Sequence, residues 1–471
     1  RNYETISWVT FSKDIEGIAS KYGHLFGLNG IYPPAKFKFM PNFVGSTTNY
    51  SDIKLLKSYG ESYEPRGHKL YYIDDPMINL GIDISYRLNP SSNLMMTINP
   101  DFNQVEADPA NVNNSAYKTY FPEKRPFFLK DVDIFKTPIE IYYSRRIGEN
   151  WEELVIVDTT CSACNEIDTT FDYQQIHYNI SAAGKWTGKT KKGLSYGLLG
   201  AITTPKWPEW NSVLSNYRSD WIKQENKSKD KNYLVSRIKQ DLFSGNSFIG
   251  FMSTSSMKDS SHTFSVDGMA NIFDNQIGVD GQIIMTSDKY KGIFGSMSFS
   301  PLGFFSGWID YYQYDKGLYL NDLGFLDRDD FTQTKLSLIF ENFEPWNMVR
   351  NSTIKLQGNI EENSDGLNLE KSIALSYDMM FTNFWNFGGG FKRFMESYDD
   401  REIYTYNDIE SLTCCPSIAL PGVDEISINV SSDQHKSISA FTSVKWQKSA
   451  SNETSIGQFT ELVYKPNSYL Y

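Results

Sequence analysis

Side chains able to do chemistry fall in three places along this 471-residue chain. The first is acidic: Asp101, Glu106 and Asp108. Carboxylates so spaced could act as a general acid and base, or hold calcium. Glu123, Lys124, Arg125, Arg145 and Arg146 follow, so both signs of charge are present. An ion-paired network is therefore the simpler reading, and no catalytic residue is assigned. The second place is Cys161-Ser-Ala-Cys164, together with the adjacent pair Cys414-Cys415. A zinc site would need two more ligands beside the first pair, and in sequence only His177 is near. A thioredoxin-type redox site needs a strand followed by a helix, and this stretch reads as loop. A disulfide in an oxidising compartment is favoured for Cys161 and Cys164, with free thiols and metal as the alternatives. Cys414 and Cys415 would form a strained vicinal disulfide, stay as two thiols, or pair with a partner.

The third place is Gly184-Lys-Trp-Thr-Gly-Lys-Thr190. It looks like a phosphate loop but is one residue short of that spacing, and no helix follows it. It is rejected as a nucleotide site. No zinc-protease helix motif occurs. The five His, at 24, 68, 177, 262 and 435, have no ligand spacing. No cofactor and no metal are expected. Asp158-Thr-Thr160 and Asp168-Thr-Thr170 match the short O-glycosylation signal used in Bacteroidota, a match that arises often by chance.

Whatever these residues do, strands must position them. Nearly everything after residue 35 reads with period two. Leu80, Ile82, Ile84, Tyr86 and Leu88 alternate with Asp83, Ser85 and Arg87; Ile373, Leu375, Tyr377 and Met379 alternate with Ala374, Ser376 and Asp378. Similar runs include 139–146, 178–186, 194–203, 233–242, 263–272 and 334–343. Roughly 16 to 20 such segments are expected, many of the ~9–11 residues that cross a bilayer at a tilt. Turns fall at Lys191-Lys192-Gly193, Asp274-Asn275 and Asp365-Gly366. The stretches Ile156 to Asp172 and Lys206 to Lys231 read as loops. One short helix is expected in Ser12 to Leu25.

Composition narrows the class. The net charge of −12 argues against a nucleic-acid binder, which needs a basic face. Only 40% of residues are hydrophobic, yet 15% are aromatic. That combination fits a membrane barrel, whose strands are apolar on one face only. The charge-free run Gly292 to Ile309 carries four Gly and five Ser or Pro, which is hairpin material and not a membrane helix. Tyr311, Tyr312, Tyr314, Phe340, Phe343, Trp346, Phe384 and Trp385 recur near segment ends, as interfacial girdles require. Arg1 opens the chain without Met or secretion signal, which reads as a mature form or the ordered part of something longer.

Asn99 to Phe135 breaks the alternation, with mixed charge and X-Pro turns at Asn99-Pro100, Asp108-Pro109 and Phe121-Pro122. Tyr143-Ser-Arg-Arg-Ile-Gly148 follows, and Asn321-Asp-Leu-Gly-Phe325 is a further landmark. Together with Leu28 to Val44, Ser432-Asp433 with Lys436, and Tyr464-Lys-Pro-Asn-Ser468, these resemble a domain-of-unknown-function family of outer-membrane β-barrels common in Bacteroidota. The resemblance covers almost the whole chain. Cys414-Cys415-Pro416 departs from it, since the family has Gly-Gly-Pro there. The resemblance implies that residues 1–35 end an upstream periplasmic domain and linker. That upstream domain would resemble a family 9 carbohydrate-binding module.

The fold expected is all-β: a transmembrane antiparallel barrel of about 18 strands over 36–471, with 99–135 filling or narrowing the lumen at its periplasmic mouth. The setting is the outer membrane of a Gram-negative bacterium. Partners would be lipid and lipopolysaccharide, other outer-membrane or periplasmic proteins, and glycans, but no nucleic acid. The leading functional reading is a non-enzymatic subunit or anchor of an envelope assembly. The alternatives are a channel or transporter for saccharides or other small solutes, and a hydrolase built on a barrel.

Overall fold

Period-two runs become strands. A computed structural model of the chain describes residues 35–53, 70–100, 117, 119–148, 151–160, 167–206, 231–257, 260–273, 275–301, 303–401 and 417–465. The strands in order are β1 (Phe37–Ile53), β2 (Leu70–Asn89), β3 (Ser92–Ile98), β4 (Trp151–Thr160), β5 (Ile167–Lys189), β6 (Leu194–Lys206) and β7 (Lys231–Leu242). Next come β8 (Ser247–Ser256), β9 (Ser261–Ile272), β10 (Ile277–Thr286), β11 (Lys291–Phe299), β12 (Phe305–Tyr314), β13 (Phe331–Asn342) and β14 (Val349–Glu362). The last are β15 (Asn368–Phe381), β16 (Asn386–Phe394), β17 (Ser397–Asp399), β18 (Ile418–Leu420), β19 (Val423–Ser431), β20 (Ile438–Ser449) and β21 (Thr454–Tyr464).

One sheet holds nineteen of these strands, and β17 with β18 form a separate ribbon. Every pairing is antiparallel, and each strand of the large sheet follows its neighbour in sequence, with β3 pairing β5 across the 99–166 excursion. Strand β4 pairs only the outer part of β5. Without β4 the meander therefore has eighteen strands (19 − 1). Among the described residues β1 pairs only β2, and β21 pairs only β20.

The sheet is inside out compared with a soluble one. Along β7, Leu234 and Ile238 are exposed while Arg237, between them, is 2% exposed. Along β9, Phe264 and Val266 are exposed while Ser265 and Asp267 are buried. Along β10, Ile283 and Met285 are exposed while Gln282 and Thr286 are buried. Exposed apolar side chains at this density would drive association in water. Lipid is the solvent that suits them.

The two ends differ as well. At one end the connections are tight: none exceeds the six residues of Phe343–Met348. Several of these tight turns carry exposed aromatics, among them Phe243, Phe273, Phe304 and Trp346. Phe243 and Phe273 sit there at positive φ, which a bulky side chain adopts at a cost. The opposite end carries the long connections, including the 99–166 excursion, Asp315–Asp330 and the segment around β17 and β18.

Two expectations need correcting. Residues 139–146 alternate but form no strand; Ile139, Ile141, Tyr142, Tyr143, Ser144 and Arg146 are all buried within the excursion. Burial on every side of a short apolar run mimics a strand, because period alone carries no information about partners. Residues 156–172 read as loop, yet 156–160 and 167–172 belong to β4 and β5, whose backbone pairing overrides polar composition. The helix expected in 12–25, the whole of 1–34, and the loop 207–230 lie outside the described residues.

Candidate functional site

The chain leaves β3 at the long-connection end, where the Asn99 N–H donates to the Ser181 carbonyl at 2.8 Å. It returns at the same end, where Gly148 lies against Tyr178 and Ile180 of β5. Its described residues 119–148 lie along the polar face and reach towards the tight turns. Asp131 marks the lowest point. Its carboxylate accepts from Asn93 Nδ2 at 3.2 Å and Thr187 Oγ1 at 2.7 Å, both near the tight-turn ends of their strands. Lys130 Nζ donates to Ser85 Oγ at 3.4 Å in the same region. Asp131 has φ 55, the left-handed value a reversal of direction needs.

One wall side chain holds this turn. Pro126 starts a single helical turn, α1 (Pro126–Leu129), since its fixed φ suits a first helical position. The carbonyls at the end of such a turn have no partner within it. Lys185 of β5 supplies one: its Nζ donates to Phe127 O at 2.5 Å, to Phe128 O at 3.4 Å and to Lys130 O. Lys185 is 2% exposed, and its Nζ lies 5.2 Å from the Phe127 ring centroid. Further along, Gln282 in the middle of β10 accepts from the Ile139 N–H and donates to the Ile139 carbonyl at 3.2 Å. Apolar contact completes the seating. Phe127, Phe128, Phe135, Ile139, Ile141 and Ile147 form one cluster with inward residues of the wall such as Ala183, Leu199, Val235 and Ile284.

The charged residues singled out in the sequence divide as follows. Asp101, Glu106 and Asp108 lie outside the described residues, as do Cys161, Cys164, Cys414 and Cys415. Glu123 and Arg125 form a two-pronged ion pair at 2.8–2.9 Å, both about a tenth exposed. Arg125 also donates to the carbonyls of Ser144 and Ile147, at 2.6 and 2.8 Å. Burial by itself would raise the Glu123 carboxyl, but its bonds to Arg125 and Ser144 outweigh that and hold it below the usual range. Lys124 donates its backbone N–H to Glu123 at 3.0 Å. Arg145 lies 6.0 Å from the Phe121 ring centroid. Arg146 takes a different partner: its guanidinium reaches Gly324 O at 3.2 Å and Asn321 Oδ1 at 2.8 Å.

Those last two bonds join the landmark stretches 143–148 and 321–325. The Tyr143 N–H donates to Leu323 O at 2.7 Å, and the Phe325 N–H to Glu140 O at 2.9 Å. Tyr120, Tyr143 and Phe325 stack within 5.0–5.4 Å of one another. Gly324 allows the approach: a Cβ there would fall 2.7 Å from Glu140 O. So two segments far apart in sequence form one inner body against the polar face.

Beside this body, at the long-connection end, lies a chamber of about 580 Å³. Tyr312, Tyr314 and Phe331 line it from the wall, and Tyr117, Phe325 and Tyr398 from the connections. Its polar lining includes Gln333, Lys335, Glu361, Glu370, Arg328 and Glu140. The volume is in the range of small-molecule sites.

A reciprocal pair of ion pairs ties the connections together there. Arg328 grips Asp400 with two bonds of 2.8 and 2.9 Å, and Arg401 bonds Asp329 at 2.5 Å. Burial would raise the Asp400 carboxyl, but the Arg328 bonds and charge win and hold it below the ordinary value. Burial raises Glu140 and is not offset by its bond from Tyr120 or by Lys136. The two shifts have opposite consequences. A depressed Asp400 contributes stability that is present above its ordinary pKa and lost as pH falls through its lowered one. A raised Glu140 disfavours the native state once ionised, so protonation relieves it as pH falls. Hydrogen exchange in acid should therefore speed up at 326–330 and 397–401, but not at 139–141. A uniform change across all three would show that the clasp is not an electrostatic unit.

Sequence reasoning missed Lys185, Gln282, Arg328 and Asp400. Lys185 and Gln282 are lone polar residues in ordinary strands, Arg328 and Asp400 sit in short charged runs, and only the fold supplies their partners.

A family model described as a domain of unknown function (DUF5916) matches residues 66–468. No curated protein matches the chain. Solved structures with some likeness include three proteins of Pseudomonas aeruginosa. OccK11 (OpdR) is 9% identical with a TM-score of 0.33, over 62% of this chain and 80% of that one. OccK5 (OpdH) is 11% identical with a TM-score of 0.33, over 62% and 83%. OpdQ is 7% identical with a TM-score of 0.29, over 67% and 96%. Likeness this loose carries no argument about what the chain does.

Proposed function

The chain belongs to the DUF5916 family, a domain of unknown function, and on that premise we propose that it is a non-enzymatic outer-membrane β-barrel passing small polar solutes through a restricted lumen. The inverted polarity of the eighteen-strand meander supports the membrane. In this reading β1 pairs β21 and closes the barrel, since an open edge in hydrocarbon leaves backbone groups unpaired. Tight turns face the periplasm and long connections face outward, the usual arrangement of such barrels. The aromatic turns then lie at the inner interface, against headgroups, and lipopolysaccharide borders the other rim. The excursion is the plug. It enters from the outer rim and reaches down towards the periplasmic mouth.

The observation that carries passage over mere anchorage is what the inner body leaves uncovered. The polar faces of β14 to β20 carry Lys355, Asn359 and Glu425, which are half-buried, and Asp378 and Lys445, which are exposed. A wetted, mixed-charge wall beside a seated plug is a path for polar solutes. The second reading, an anchor or subunit of an envelope assembly, is favoured by the filled half of the interior. A Bacteroidota source, an upstream carbohydrate-binding-like domain and glycan partners belong to this proposal through the resemblance of the motifs.

Planar bilayers test it. The intact protein should give a small, steady conductance. A large ohmic pore would overturn the plug, and no current under any condition would leave only the anchor.

A further inference from the structure

We propose that the chamber at the long-connection mouth binds a small organic cation, an amine- or guanidinium-bearing molecule, and so sets which solutes the lumen admits. This deepens the reading of the chain as a restricted channel and rests on it for its role. The binding itself stands on the chamber.

Its wall is aromatic. Tyr312, Tyr314 and Phe331 run edge to face, with ring centroids 6.4 Å apart for the first two and 4.9 Å for Tyr314 and Phe331. Ring faces attract cations, more so where water is partly excluded. The lining carries more acid than base. Arg328 is held by Asp400 in the clasp, and Lys335, opposite Asp310 in the β12–β13 register, also acts on Glu361. Against these two cations stand Glu140, Asp327, Glu361, Glu370 and Asp399. Glu361 and Glu370 are direct cross-strand partners on β14 and β15, an arrangement that like charges normally disfavour.

The wall there is also rich in acceptors. Glu361 accepts from Gln333 and, at 3.4 Å, from Asn359; Glu370 accepts from Ser372 at 2.8 Å. Asn359 Oδ1, on the same face, is buried with no donor. A ligand that brings both positive charge and N–H donors would relieve the carboxylate pair and stack on the rings. An anion would add to the repulsion, and a neutral sugar would leave it in place.

Calorimetry on the full chain in detergent micelles tests this, with agmatine as the probe and maltose and malonate as controls. Agmatine should bind, more weakly as salt rises, and the controls should not. The double variant Glu361→Gln with Glu370→Gln should lose at least about tenfold in affinity. Tyr314→Leu should lose several-fold with the carboxylates intact, which separates ring contact from charge. Retained heat-modifiable gel mobility would show that each variant still folds. Binding of maltose or malonate in place of agmatine, no binding at all, or agmatine affinity unchanged in the double variant would each overturn the proposal. Conductance is read separately. A protein that conducts but ignores agmatine refutes this inference alone, while one that binds agmatine and never conducts refutes the channel alone.

Discussion

Lys185→Met should add frequent large openings to the small, steady conductance of the parent. The ammonium of Lys185 caps the carbonyls of Phe127, Phe128 and Lys130 at the foot of the inserted segment. Hydrogen bonds from a charged donor contribute about 1.5–3 kcal/mol each. Met has similar length and leaves no charge behind in the wall, so the barrel should tolerate it. Two such bonds lost, with carbonyls left unsatisfied, shift the seated-to-released balance by about two powers of ten or more. The Phe127 and Phe128 contacts remain, so openings should be transient and not permanent. Asp131→Asn weakens the next anchor down, and its effect should be smaller and in the same direction. Traces from Lys185→Met that match the parent would show that the excursion does not seal the lumen.

The exposed apolar face of the sheet was legible from alternation because successive residues of a strand point to opposite faces of opposite polarity. That is why the pattern in 263–272 maps directly onto exposed Phe264 and Val266 and buried Ser265 and Asp267. The end of the inserted segment was not legible. Asn99 to Phe135 lacks period two, but 136–148 regains it while remaining inside. Ile139, Ile141 and Ile147 pack on the wall, and the residues between them meet the 321–325 connection.

The candidate site illustrates the same limit. Glu123 and Arg125 are two residues apart, so their pairing could be anticipated from the sequence. Arg146 also read as part of that charge cluster, yet it reaches Asn321 and Gly324. The clasp joins Arg328-Asp329 to Asp400-Arg401, two inverted dipeptides that nothing in a single sequence links. Contacts between distant segments depend on how loops return over a sheet, and strand periodicity does not encode that return.

A double-mutant cycle on Arg237 and Asp267 should separate a dry interior from a wet one. These side chains pair through two bonds, one of 2.7 Å, on facing inner positions of β7 and β9 with β8 between. They are 1% and 2% exposed. Gly250 makes the room, because a Cβ there would lie 2.7 Å from the guanidinium. Removing one partner of a buried pair strands the other charge and costs about 3–5 kcal/mol. Replacing both with apolar residues of similar volume is often neutral or stabilising. Arg237→Met and Asp267→Leu should therefore each lower the temperature at which the folded band on a gel is lost. The double variant should recover most of that loss. In a water-filled lumen the same singles would be screened, and each would cost under about 1 kcal/mol. Singles as stable as the parent would thus mean that water reaches this wall, and that the inner body does not fill the half of the barrel it lies against.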